Sequence, residues 1–220
     1  MPSPTPSIIH TAARLQSTTR KNGLQTAISG GLATSVWSTP RATLDIDIVV
    51  IGEAKSLNAA LDSLGVAHPT DWNADMVRVY LDGFATDLFL RNNPLDAAMV
   101  QRAVPLSMGA EQLYFLRPED VIISKVIWHR PKDWADITAI LMATPTDVAF
   151  VRKQLAEMRP KVWAAQRSRF ERCVAQVPCP TNRVPILARA SAPSMCNRQV
   201  ESTGLPCRLA VGHRGRHRSR

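Results

Sequence analysis

Two aspartates stand one residue apart inside a run of apolar, largely β-branched residues, Leu44-Asp45-Ile46-Asp47-Ile48-Val49-Val50. Such a run reads as a strand, and strand side chains alternate between faces. Asp45, Asp47 and Val49 therefore share one face. Carboxylates on an otherwise apolar strand are costly to bury unless something positive meets them, a basic side chain or a metal ion. Whatever fold this chain adopts must bring such a partner to one face of this strand.

The flanking sequence bears on the choice. Gly30-Gly31 precedes a short helical stretch, Leu32-Ala-Thr-Ser-Val-Trp-Ser38, and Pro40 breaks the chain before the strand. Adjacent glycines let backbone N–H groups approach a phosphate closely, and the helix that follows points its positive end at it. Asp87, in Phe84-Ala-Thr-Asp-Leu-Phe-Leu90, interrupts another apolar strand with no packing reason and is the candidate third carboxylate. Asp82 is explained by its place in an Asp82-Gly83 hairpin turn. Three carboxylates converging on one point suit Mg²⁺ or Mn²⁺, with substrate phosphates completing the shell. The plainer alternative makes the glycines a tight turn and pairs Asp45 and Asp47 with Arg41 and Lys125.

The rest of the chain reads as strands and helices in alternation. Residues 8–23 suggest a first helix ending near Gly23, and residues 24–29 a short buried strand end. Residues 54–65 have helical spacing with a glycine stop. Residues 76–90 form the clearest hairpin, and residues 93–104 look helical. A short strand near Tyr114 leads to a helix at Pro118, with Glu119 and Asp120 in its first turn. Further helices follow from Pro131 to Val177. The expected class is α+β: a small mixed sheet flanked by helices, then a C-terminal helical segment and an irregular basic tail. The boundaries expected are an N-terminal arm and helix over 1–23, a central domain over 24–177 and a tail over 178–220.

Charge is distributed unevenly. Residues 1–150 hold 12 Lys and Arg against 15 Asp and Glu, a net −3; residues 151–220 hold 15 against 3, a net +12. A basic terminus on an acidic body points to a polyanionic partner, with nucleic acid the first candidate, or to a merely solvated end. Cys196, Cys207, His213 and His217 in the tail form a set that suits tetrahedral Zn²⁺, although Gly212 and Gly215 favour a small knuckle over a finger helix. The other reading is an Arg/His-rich tail with incidental cysteines. The first residues lack a basic start followed by an apolar core, and no apolar run reaches membrane-spanning length, so a cytoplasmic protein with no membrane partner is expected.

Gly30-Gly31, thirteen residues, then Asp45-Ile46-Asp47 resembles the nucleotidyltransferase superfamily. The stretch Pro40-Arg-Ala-Thr-Leu-Asp-Ile-Asp47 is similar to the R-x-T-x-D-I-D version found in minimal nucleotidyltransferases, including AbiEii-type toxins of toxin–antitoxin systems. Residues 117–137 resemble that group's later motif, a helical Lys followed by a basic residue and a K/R-D-x-x-D cluster. Lys125, Arg130, Lys132, Asp133 and Asp136 occupy those positions. The resemblance covers residues 24–142 and departs from the pattern at Trp37, where relatives carry a small residue.

The resemblance implies a nucleotidyltransferase sheet and Mg²⁺-dependent transfer of a nucleoside monophosphate from an NTP to an acceptor hydroxyl. Asp45, Asp47 and Asp87 would bind metal, Gly30, Gly31, Arg41 and Thr43 would bind nucleotide, and Lys125 and Asp133 would assist catalysis. An RNA acceptor, with tRNA the first candidate, and a protein antitoxin are the implied partners. The reading from a different class is a non-catalytic nucleic-acid-binding or regulatory protein on the same scaffold. Lys125, Asp133 and Asp136 also have an ordinary explanation as helix-surface and N-terminal charges.

Overall fold

The computed structural model describes residues 7–69, 72, 76–158 and 163–177. These residues form α1 (Ile8–Lys21), β1 (Gln25–Ile28), α2 (Gly30–Trp37), β2 (Asp45–Ile51), α3 (Ala54–Ser63), β3 (Val77–Leu81), β4 (Phe84–Leu90), α4 (Pro94–Gln101), β5 (Val104–Met108) and β6 (Glu111–Phe115). Four further helices follow: α5 (Pro118–Trp128), α6 (Pro131–Ala143), α7 (Val148–Glu157) and α8 (Ala164–Gln176). The mixed sheet with flanking helices is the class expected from the sequence. Among the described residues, no helix is long and apolar enough to cross a membrane.

The chain divides into two units. The first holds the described residues up to Ser35 together with Pro40–Val121; the second holds Val36–Thr39 and the described residues from Ile122 onward. The first unit is built on a six-stranded sheet in the order β3-β4-β2-β1-β6-β5. β2 runs parallel to β4 and antiparallel to β1, β1 runs parallel to β6, and β3–β4 and β5–β6 are antiparallel hairpins.

Alternation along three strands gives the sheet two different faces. Ile48 and Val50 of β2, Leu88 of β4, and Val79 and Leu81 of β3 pack with Leu15 of α1 and Leu57 and Leu61 of α3 in one buried apolar cluster. The other face of the same strands carries Asp45, Asp47, Asp87, Arg78 and Tyr80. Burying the apolar face fixes the register, because a slip of one residue would exchange the faces.

Local chemistry sets the ends of these strands. Asp82 and Gly83 both have positive φ, 53° and 84°, the pair of left-handed residues that a tight two-residue hairpin requires. Asp82 also ties this turn to α1, accepting hydrogen bonds from Arg14 Nη1 at 2.7 Å and Thr11 Oγ1 at 2.9 Å. β5 has no counterpart in the sequence reading. Pro105 lies within it, and a proline weakens any strand assignment except at a sheet edge, which is where β5 sits.

The second unit is helical. Asp147 caps α7 by accepting from the Phe150 N–H, and Pro131 opens α6. Val126, Ile137, Ile140, Val151, Leu155 and Phe170 are buried.

Candidate active site

Register places the three strand carboxylates together. Asp47 of β2 lies directly opposite Asp87 of β4, and Asp45 lies opposite Ala85, one step along the same face. Neighbouring strands are about 4.8 Å apart, so side chains paired across them are within mutual reach. Asp87 is buried; Asp45 and Asp47 are half-buried. Thr43 Oγ1 donates to Asp45 Oδ1 at 2.7 Å.

The glycine pair is fitted against these carboxylates. α2 begins at Gly30 itself, and the Gly31 N–H donates to Asp47 Oδ2 at 3.3 Å. The Ser29 N–H donates to the Asp47 carbonyl oxygen at 2.8 Å, which holds the end of β1 to β2. Gly30 has φ +56°, and a Cβ there would fall 1.8 Å from Asp47 Oδ2. A Cβ on Gly31 would fall 2.6 Å from Thr43 Oγ1. Both positions thus exclude larger residues, the first by conformation and by space at once. Ser35, one turn on, donates to the Gly31 and Arg41 carbonyl oxygens at 3.1 Å and so ties the Arg41 segment to α2.

A residue absent from the sequence reading joins the group. Arg78 of β3 is the register partner of Asp87. Its Nε donates to Asp87 Oδ1 at 2.6 Å and its Nη2 to Oδ2 at 2.7 Å. These hydrogen bonds, then the Asp87 charge, raise the guanidinium's pKa above its ordinary value, with Tyr80 and Asp45 adding smaller effects. The signal was available. Counting outward from the Asp82-Gly83 turn puts Leu81 opposite Phe84, Tyr80 opposite Ala85, Val79 opposite Thr86 and Arg78 opposite Asp87. Tyr80 lies on this same face and is well exposed.

Lys125 and Asp133 belong to the second unit and form a separate cluster there. Lys125 Nζ donates to Asp136 Oδ2 at 2.6 Å and lies 3.5 Å from Asp133 Oδ1. Asp133 is fully buried, and its Oδ2 accepts from the Arg130 N–H and from Arg130 Nε, both at 3.0 Å. The Arg130 N–H bond closes the first turn of α6, as an acid at this position of a capping box does. Lys125 is therefore engaged by carboxylates of α6.

The donor set on the sheet has the right chemistry for a hard divalent cation, with one condition. Asp45 and Asp47 present carboxylate oxygens on one face, and Asp87 adds a third group whose two oxygens are both covered by Arg78. No group of three or more His, Cys, Asp or Glu among the described residues is arranged to hold a metal ion. Cys196, Cys207, His213 and His217 lie outside the described residues.

The family model described as "Nucleotidyltransferase of unknown function (DUF6036)" matches residues 7–177. No curated protein matches the chain. Among solved structures, an antigenic nucleotidyltransferase-like protein from Paracoccidioides brasiliensis is 17% identical with a TM-score of 0.40, over 71% of this chain and 90% of that one. ANT(2")-Ia in complex with adenylyl-2"-tobramycin is 17% identical with a TM-score of 0.44, over 71% of this chain and 95% of that one. The lincosamide antibiotic adenylyltransferase LnuA, lincomycin-bound, is 12% identical with a TM-score of 0.39, over 57% of this chain and 91% of that one.

Proposed function

This chain belongs to that nucleotidyltransferase family, and on that premise we propose that it moves a nucleoside monophosphate from an NTP to an acceptor hydroxyl at the carboxylate face of its sheet. The observation that carries the reading is the placement of Asp45, Asp47 and Asp87 on one face of adjacent strands, under a helix start that only glycines can supply.

Each residue has a stated part. Asp45 and Asp47, joined by Asp87, would hold the divalent cation, Mg²⁺ or Mn²⁺. Bound there, the cation supplies charge stabilisation at the transferring phosphorus and lowers the pKa of the attacking hydroxyl. Gly30 and Gly31 keep the start of α2 close enough for its backbone to face the triphosphate. Thr43 orients Asp45 through its hydroxyl, and Arg41 sits on the segment tied to α2 by Ser35. The protein's contribution is mainly positioning and charge, as phosphoryl chemistry requires. The parts implied for Lys125 and Asp133 belong to this proposal too. Their support is that two carboxylates fix the Lys125 ammonium in place.

The finer reading is a toxin of a toxin–antitoxin system, acting in the cytoplasm on RNA, with tRNA the first acceptor to try. Its support is the R-x-T-x-D-I-D match at Arg41–Asp47 and the net +12 over residues 151–220. A structural Zn²⁺ on Cys196, Cys207, His213 and His217 is part of the same proposal; metal content of the purified chain tests it. One observation favours the second reading, a nucleic-acid binder without catalysis: Arg78 covers both oxygens of Asp87.

One assay separates the two. Purified protein is incubated with each α-labelled NTP, Mg²⁺ or Mn²⁺ and total RNA. Transfer of label to RNA is the expected result. Salt-sensitive RNA binding without transfer would establish the binder, and label on the protein itself would redirect the acceptor from RNA to protein.

A further inference from the structure

Arg78 occupies the carboxylate that a cation would need as its third ligand. Two parallel charge-assisted hydrogen bonds, at 2.6 and 2.7 Å, take both oxygens of Asp87. Asp87 lies directly opposite Asp47, so a cation drawn to Asp47 meets Asp87 with its oxygens committed. The two partners differ in freedom. The Asp87 side chain is 8% exposed and lies on an interior strand, whereas that of Arg78 is 49% exposed and rises from the edge strand β3. If one of them moves, it is the arginine, whose long stem can turn into water and regain solvation there.

From this juxtaposition we propose that Arg78 is a displaceable counter-ion: it holds Asp87 when no divalent cation is bound, gives it up when one binds, and thereby sets the affinity of the site for the cation. The proposal rests on the reading of the carboxylate face as the nucleotidyl-transfer centre. Two effects act in the same direction. Removing the guanidinium uncovers two hard oxygens of the kind Mg²⁺ and Mn²⁺ select. It also removes a positive charge from beside Asp87 and Asp45, which strengthens the attraction for a dication. Arg78 is thus a positioning residue that acts through Asp87.

The test is Mn²⁺ binding to the full chain without nucleotide, read from the electron paramagnetic resonance signal of the free ion. Arg78→Gln is expected to bind Mn²⁺ about tenfold more tightly than the wild type, the range of coupling found between groups in direct contact. Arg78→Lys keeps the charge but cannot cover both oxygens, and its affinity should fall between the two. The gain should vanish when Arg78→Gln is combined with Asp87→Asn. Unchanged or weaker binding by Arg78→Gln would overturn the proposal, as would wild-type affinity in Arg78→Lys. If those results came with wild-type binding that Asp45→Asn/Asp47→Asn abolishes, the wider reading of the site would stand. Absence of Mn²⁺ binding in every protein would remove both.

Discussion

The strand aspartates and the α6 aspartates are the same residue type in opposite circumstances. Asp133 and Asp136 are buried, and one lysine and one arginine engage them within two consecutive helices. Asp45 and Asp47 are half-buried and accept from a threonine hydroxyl and a glycine N–H, while the guanidinium of Arg78 lies on Asp87. The first group is assembled locally, by a helix cap and a turn. The second is assembled by register, from strands far apart in sequence. Burial with counter-ions gives Asp133 and Asp136 a part in stability, beside the part in transfer proposed for Asp133. Asp45 and Asp47, half-buried beside Asp87, are the group proposed to take a cation. Clustered acids alone do not distinguish the two cases; burial and partners do.

That contrast can be broken by substitutions that should separate activity from stability. The largest effect is expected for Asp45→Asn/Asp47→Asn. Loss of transfer should reach at least about a thousandfold, as when a group that stabilises transition-state charge is removed. The melting temperature should stay close to that of the wild type. Label transfer and thermal unfolding on one preparation check both halves. Lys125→Met should lower stability and, through the part proposed for Lys125, transfer as well. It leaves two buried carboxylates without their ammonium, which costs about 3–5 kcal/mol. For a chain of this size that is a fall of about 10 °C in melting temperature, read by calorimetry. A part for Lys125 in transfer would appear as lost activity per folded molecule.

A smaller effect concerns Asp120, in the first turn of α5. Burial raises its pKa, opposed by the hydrogen bond and charge of Arg102 and by Arg117. A carboxyl group whose folded pKa is raised gives its full stabilisation below its unfolded value, about 3.9, and loses it as the pH climbs through the folded value. The stability advantage of the wild type over Asp120→Asn should therefore shrink as the pH rises above the unfolded value of about 3.9. Urea unfolding at several pH values measures it, and an advantage that grows with pH would contradict the assignment.

Much of this was legible in the residues. β2, the β3–β4 hairpin and most helices follow from alternation, Asp82-Gly83, and the proline and glycine stops. The glycine pair pointed to a close approach, and the structure shows what is approached: the side chain of Asp47. β5 was hidden by Pro105, because the sequence does not say which strand will be the edge. The Arg78–Asp87 pair follows from counting outward from the Asp82-Gly83 turn, which sets the two residues opposite each other. Of the partners of Lys125, the resemblance implied Asp133, and spacing alone did not give Asp136. Asp133 and Asp136 come within reach across the short turn between α5 and α6, where His129 takes a φ of 43°.

The proposed transfer depends first on Asp45 and Asp47 at the carboxylate face of the sheet. Its most direct test is label transfer from an α-labelled NTP to RNA by the wild type and by Asp45→Asn/Asp47→Asn, each verified as folded by thermal unfolding. Transfer by the wild type and none by the folded double variant is the expected result. Transfer retained by the double variant would contradict it.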